Sequence, residues 1–199
     1  MAVHMKISPN YSTRDWRILD LTLGSTEEDW RTGIEIFQDR IKGRYFDYMD
    51  QIEGGIYSGF AVMALSCLLI ETLQQFFEGV ARTPYGKSEE YFIRFLTETS
   101  FGEYFDRDRA KRFYKQIRCG ILHQAEVETI SLIRIGRNRQ LVEDVGDNKG
   151  LIINRRKFYA KLKKVFDNYT ARLTNSSDTE IREKFIYKMN YICRIYTQE

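Results

Sequence analysis

The run Phe60 to Ile70, broken by Ser66 and ended by Glu71, is the longest apolar stretch in the chain. A helix drawn through it is apolar on nearly every side, and such a helix persists in water only when neighbours surround it. The run is too short for a bilayer, which needs about 20 apolar residues. The spacing therefore predicts a helix from about Ile56 to Val80 that forms the spine of a helical bundle. Along its second half Glu71, Gln74, Gln75 and Glu78 recur at i, i+3, i+4 and i+7, which makes one polar stripe. The plain expectation is that this stripe faces water. The sharper one places Glu71, next to the apolar run, at a buried polar site or a subunit interface.

The remaining pattern is mostly helical. Residues 6–25 have no sustained period and read as a surface arm. Ser25-Thr-Glu-Glu-Asp29 opens a helix with a hydroxyl cap and early acids. Trp30, Ile34, Phe37, Ile41, Tyr45, Tyr48 and Ile52 then recur at helical spacing until Gly54-Gly55. Ser88-Glu89-Glu90 starts a short helix, and a charged one runs from about Asp106 towards Ala125. After Glu126 the pattern changes to β-branched and alternating residues. Three strands are expected, at Thr129–Ile135, at Leu141–Asp144 and at Gly150–Asn154, as a small antiparallel hairpin or meander inserted over 128–154. Asn154 can cap a helix from Arg155 to about Leu173, and a last helix is predicted from Thr179 to Tyr196. The fold class expected is mainly α, as one domain over 5–199.

Charge adds a pointer. Residues 1–99 hold 10 Lys and Arg against 15 Asp and Glu, while residues 100–199 hold 21 against 13. Such an asymmetry suggests either a polyanionic partner or solvated basic helix faces. Cys67, Cys119 and Cys193 are odd in number and widely spaced, so neither a disulfide framework nor a zinc site is expected. No basic-then-apolar leader opens the sequence, so a cytoplasmic protein with no membrane partner is expected. Met1-Ala-Val-His4 before Met5 reads as a cloning scar. His123 is then the one native histidine, which argues against a multi-histidine metal site.

His123 closes the segment Arg118-Cys-Gly-Ile-Leu-His123 at the end of the charged helix. Histidine suits proton transfer near neutral pH. Arginine stays charged and its fork can bond two phosphate oxygens. Together they supply what cleavage of RNA at a 2′-hydroxyl requires, with no metal or other cofactor. On a straight α-helix five residues turn about 140° beyond a full circle, so the two do not share a face. They converge if the long arginine and a turn loosened at Gly120 allow it, or if a second copy completes the site across a two-fold axis. Cys119 and Gly120 leave small side chains on the histidine face, with room for another backbone or a phosphate.

In these residues the chain resembles the HEPN superfamily, whose signature is an arginine followed by four to six residues and a histidine, late in a charged helix. The resemblance covers about residues 55–173. It implies a small helical bundle and, in many members, a metal-independent endoribonuclease that leaves 2′,3′-cyclic phosphate ends. It also implies a homodimer with a composite active site, often within toxin–antitoxin or defence systems, so that an antitoxin is a candidate partner. Carried over, Arg118 and His123 match the motif, and Glu71 matches the acidic or polar position on an earlier helix. Lys115, Arg112 and Gly120 are the expected substrate-binding residues. The residue after the arginine, commonly Asn, Asp or His in active members, is Cys119 here. A non-catalytic HEPN-like protein that binds nucleotides or RNA, or acts as a scaffold, is the alternative.

Overall fold

The computed structural model describes residues 5–128 and 130–194. Its helices follow the periodicity. α1 spans Thr13–Leu19, α2 Glu27–Ile41, α3 Asp47–Ile52, α4 Gly59–Glu78 and α5 Ser88–Glu98. α6 spans Arg107–Arg112 and α7 Gly120–Gln124, with a π-helical segment, Phe113–Cys119, between them. A second π turn, Lys42–Phe46, joins α2 to α3 in the same way. α8 (Arg155–Leu173) and α9 (Thr179–Ile192) complete the helices, and the part of the last predicted helix beyond Arg194 lies outside the described residues, as do residues 1–4.

The architecture is mainly helical with a small mixed sheet, not a meander. β1 (Leu132–Arg134), β2 (Val142–Val145) and β3 (Gly150–Asn154) stand in the order β1-β3-β2. β2 and β3 form the expected antiparallel hairpin, in which Val142 faces Ile153, whereas β1 runs parallel to β3 with Leu132 opposite Ile152. β3 takes the centre because it is the most apolar strand, with Leu151 and Ile153 fully buried. Parallel pairing needs a crossover of about a dozen residues or more, and the stretch 135–149 supplies it.

Two compact units divide the chain. The first holds Gln75–Arg82 and the described parts of Met1–Tyr48 and Phe166–Glu199, and the second holds Met49–Gln74 and Thr83–Val165. The first unit is packed around Phe37, whose ring lies 4.6–5.8 Å from those of Phe76, Phe166, Tyr169 and Phe185. The stretch read as a surface arm belongs to this unit. Ser12 and Asp15 form a capping box for α1, and Trp16 is buried with its indole N–H donated to Asn190 Oδ1 at 2.8 Å. One short helix leaves too little period to be seen in sequence.

In the second unit, Phe113 stacks on Phe158 of α8 at 5.1 Å, with Phe101 and Phe105 beside them. Arg155, buried at the start of α8, donates to Ser58 Oγ at 2.6 Å and to the Gly55 carbonyl at 2.5 Å, which pins the turn leading into α4. α4 itself is, among the described residues, the one helix long and apolar enough to cross a membrane, and half of its apolar window is buried within the protein. Val62, Met63, Leu69, Ile70 and Leu73 are fully covered, as expected of a core helix. Its polar stripe does not simply face water. Gln74 is buried, Gln75 Oε1 accepts the Lys188 ammonium at 2.6 Å in the first unit, and Glu71 is paired in the second.

Candidate active site at the π-helical joint

Asp106 caps α6 by accepting the Arg109 backbone N–H at 2.8 Å, and Asp108 sits where the helix dipole favours an acid. From Phe113 the helix widens into the π segment, which closes with i→i+5 hydrogen bonds. The widened turn frees a carbonyl for an outside donor, and Gln116 O takes the Glu128 N–H at 2.9 Å. α7 ends at Ala125, whose φ of 55° turns the chain back on itself. Residues 126–128 then pass over Gly120, with Glu126 N–H donated to Gly120 O at 3.3 Å. A Cβ on Gly120 would stand 2.4 Å from Glu126 O, so only glycine admits this crossing.

Arg118 and His123 stand at the exit of the π segment. The segment ends at Cys119, and the turn that carries His123 is a regular α-helical one. Arg118 lies near the end of the segment and His123 in α7, and Arg118 Nη1 is 3.5 Å from His123 Nε2 within one chain. The reach of the long arginine side chain therefore brings the pair together within one chain.

Glu71 completes the group. Its Oε2 accepts from Arg118 Nη2 at 3.2 Å, and the two side chains are 24% and 16% exposed respectively. The guanidinium also lies over two rings, 5.2 Å from the Tyr114 centroid and 5.7 Å from that of Phe92. Those rings meet edge to face at 5.4 Å. Burial works against the Arg118 charge, but Tyr114, Cys119 and Glu71 favour it, and its pKa is held above the ordinary value. Burial raises the Tyr114 phenol, with Arg118 among the groups opposing the rise. Cys119 Sγ is 3.9 Å from Arg118 Nη1. His123 is exposed, so the arrangement is a clamped cation beside a solvent-facing imidazole.

The structure thus brings together Arg118, His123 and Glu71, the three residues singled out in the sequence, and adds two rings around the arginine that the sequence did not indicate. Phe92 belongs to the buried side of α5, where its spacing gives no sign of a cation partner. Tyr114, four residues before Arg118, carried the one usable signal, a helical-neighbour spacing. Arg112, expected to bind substrate, forms an ion pair with Asp144 at 2.7 Å and donates to Asn148 O at 3.0 Å, so its guanidinium braces the sheet. The room expected beside Gly120 is filled by residues 126–128 of its own chain. Lys115 is exposed and lines a cleft with Arg112, apart from the residues around Arg118. Among the described residues no three His, Cys, Asp or Glu side chains gather in a way that could hold a metal ion. No protein-family model, no curated protein and no solved structure matches this chain.

Proposed function

We propose that the chain is a metal-independent endoribonuclease of the HEPN type, working in the cytoplasm as a homodimer. One observation carries this reading: Arg118 is fixed by Glu71 and by two ring faces at 3.5 Å from an exposed histidine. A cation held in advance stabilises a crowded phosphorane without reorganising at the moment of reaction. His123 takes the proton of a 2′-hydroxyl. That oxygen then bonds to phosphorus, the bond to the 5′ oxygen breaks, and the departing oxygen receives a proton. One histidine serves one transfer at a time, and a second copy of the chain supplies the other. The exposed apolar face of α4, with Phe60 and Leu68 on the helix that carries Glu71, supports a second copy. A role as a toxin or defence protein restrained by an antitoxin belongs to the same proposal.

Incubation of the purified protein with RNA in EDTA should leave 2′,3′-cyclic phosphate ends, and His123→Ala should slow cleavage at least about 100-fold. Cleavage that survives His123→Ala, or that requires added metal, overturns the mechanism. The non-catalytic reading keeps one observation on its side: Arg118 is already engaged by Glu71 and mostly covered, as a structural pair would be. On that reading Arg118→Ala lowers the melting temperature while RNA stays intact in the wild type.

A further inference from the structure

The helical stretch that leads to Arg118 and His123 carries two further exposed cations, Lys111 and Lys115. Lys111 and Lys115 line a cleft of about 520 Å³ whose far wall includes Asn148 in the β2–β3 turn. Both lysines are exposed, and among the described residues neither forms an ion pair. The acids of the cleft are largely engaged elsewhere. Asp144 is held by Arg109 at 2.5 Å and by Arg112 at 2.7 Å, and Asp106 caps α6. Asp108 stands exposed in the first turn of α6, where the helix dipole favours it.

Lys111, Lys115, Cys119 and His123 are spaced by four. On a regular α-helix each step of four overshoots a full turn by about 40°, so His123 would stand about 120° round from Lys111. The π segment from Phe113 to Cys119 needs more than four residues per turn, so steps of four fall short there and offset the overshoot. The two lysines and the histidine consequently share one line on the helix. Lys115 and His123 lie about 12 Å apart along its axis, within the reach of a few nucleotides.

We infer that Lys111 and Lys115 form a phosphate track that carries the backbone of single-stranded RNA up to Arg118 and His123. The inference rests on the proposed reading of that pair as the cleavage site. Lysine suits the task, because a mobile point charge follows a phosphate without reading sequence.

The test uses full-length His123→Ala protein, so that a labelled 12-nucleotide single-stranded RNA stays uncut and binding is read apart from cleavage. Fluorescence anisotropy is measured over a range of salt concentrations. Replacing both lysines, as Lys111→Gln with Lys115→Gln, removes two phosphate contacts. The slope of log K against log[salt] should then shrink by about 1.4. Lys164→Gln, an exposed lysine on α8, should leave the slope unchanged. An unchanged slope in the double variant overturns the track, and so does an equal loss from Lys164→Gln. A reduced slope together with a wild type that cuts no RNA keeps the track and removes the catalytic reading.

Discussion

A buried cation persists only where something offsets its lost hydration, and two residues here meet that demand differently. Arg118 has a carboxylate at 3.2 Å and two ring faces, and its pKa stays above the ordinary value. Lys188, 4% exposed, has among the described residues only neutral oxygens, Gln75 Oε1 and Ala81 O, each at 2.6 Å, and the Tyr191 ring at 5.4 Å. Burial, with some help from the Arg40 charge, pulls its pKa from 10.5 down to about 8. The fold therefore disfavours the charged amine. The penalty is complete below pH 8. It is relieved as pH rises from about 8 to 10.5, because there the unfolded chain binds the proton that the folded chain has released. Against Lys188→Met, the unfolding free energy of the wild type should rise over that window by up to about 3 kcal/mol. Chemical denaturation at pH 7, 8, 9 and 10 measures the difference, and a flat one would mean that Lys188 titrates as an ordinary lysine.

Among the elements, the π segment matters most, because its freed Gln116 carbonyl accepts from Glu128 and so holds the chain that returns over Gly120. Gly120→Ala forces a Cβ towards a backbone oxygen at 2.4 Å, and that backbone cannot yield as a flexible side chain would. The expected loss is about 1–3 kcal/mol, read by thermal melt. A loss near zero would show that residues 126–128 move aside freely. Neither the segment nor this crossing was legible beforehand. Widening a helix by one residue leaves its composition and most of its apolar spacing unchanged, so 106–125 read as one ordinary helix. The long periodic helices were legible, and Arg155 to Leu173 has the bounds that its cap and stripe indicate. The strand positions were nearly right, but their order was hidden, because relative burial decides which strand becomes central. At the candidate site, spacing singled out Arg118 and His123, and Glu71 stood out by its place after the apolar run; the structure shows the three side by side. The hold of Asp144 on Arg112 is a contact across 32 positions of sequence, which no local pattern encodes.

At the scale of the whole chain, the charge imbalance between the halves takes on a different meaning. Within the second unit, acids of the acidic half meet bases of the basic half: Glu71 with Arg118, Glu90 with Arg107, Glu53 with Arg156 and Asp50 with Lys163. Part of the asymmetry is therefore neutralised internally, and the surface left for a polyanion is smaller than the totals suggest. The same unit keeps an apolar face in view, with Tyr57 95% exposed, Leu68 47% and Phe60 37%. An uncharged face of this kind gains little from a charged partner and is not repelled by its own copy. Leu68 is one turn of α4 before Glu71, so a copy docked there would stand near the Arg118 cluster. The wild type is then expected to run as a dimer at micromolar concentration in light scattering behind a sizing column. Leu68→Lys should weaken association at least about tenfold, some 1.4 kcal/mol, while leaving the melting temperature of the monomer in place, because the side chain faces outward. A wild type that remains monomeric at every concentration removes the second copy from the proposal, and His123 must then perform both proton transfers within one chain.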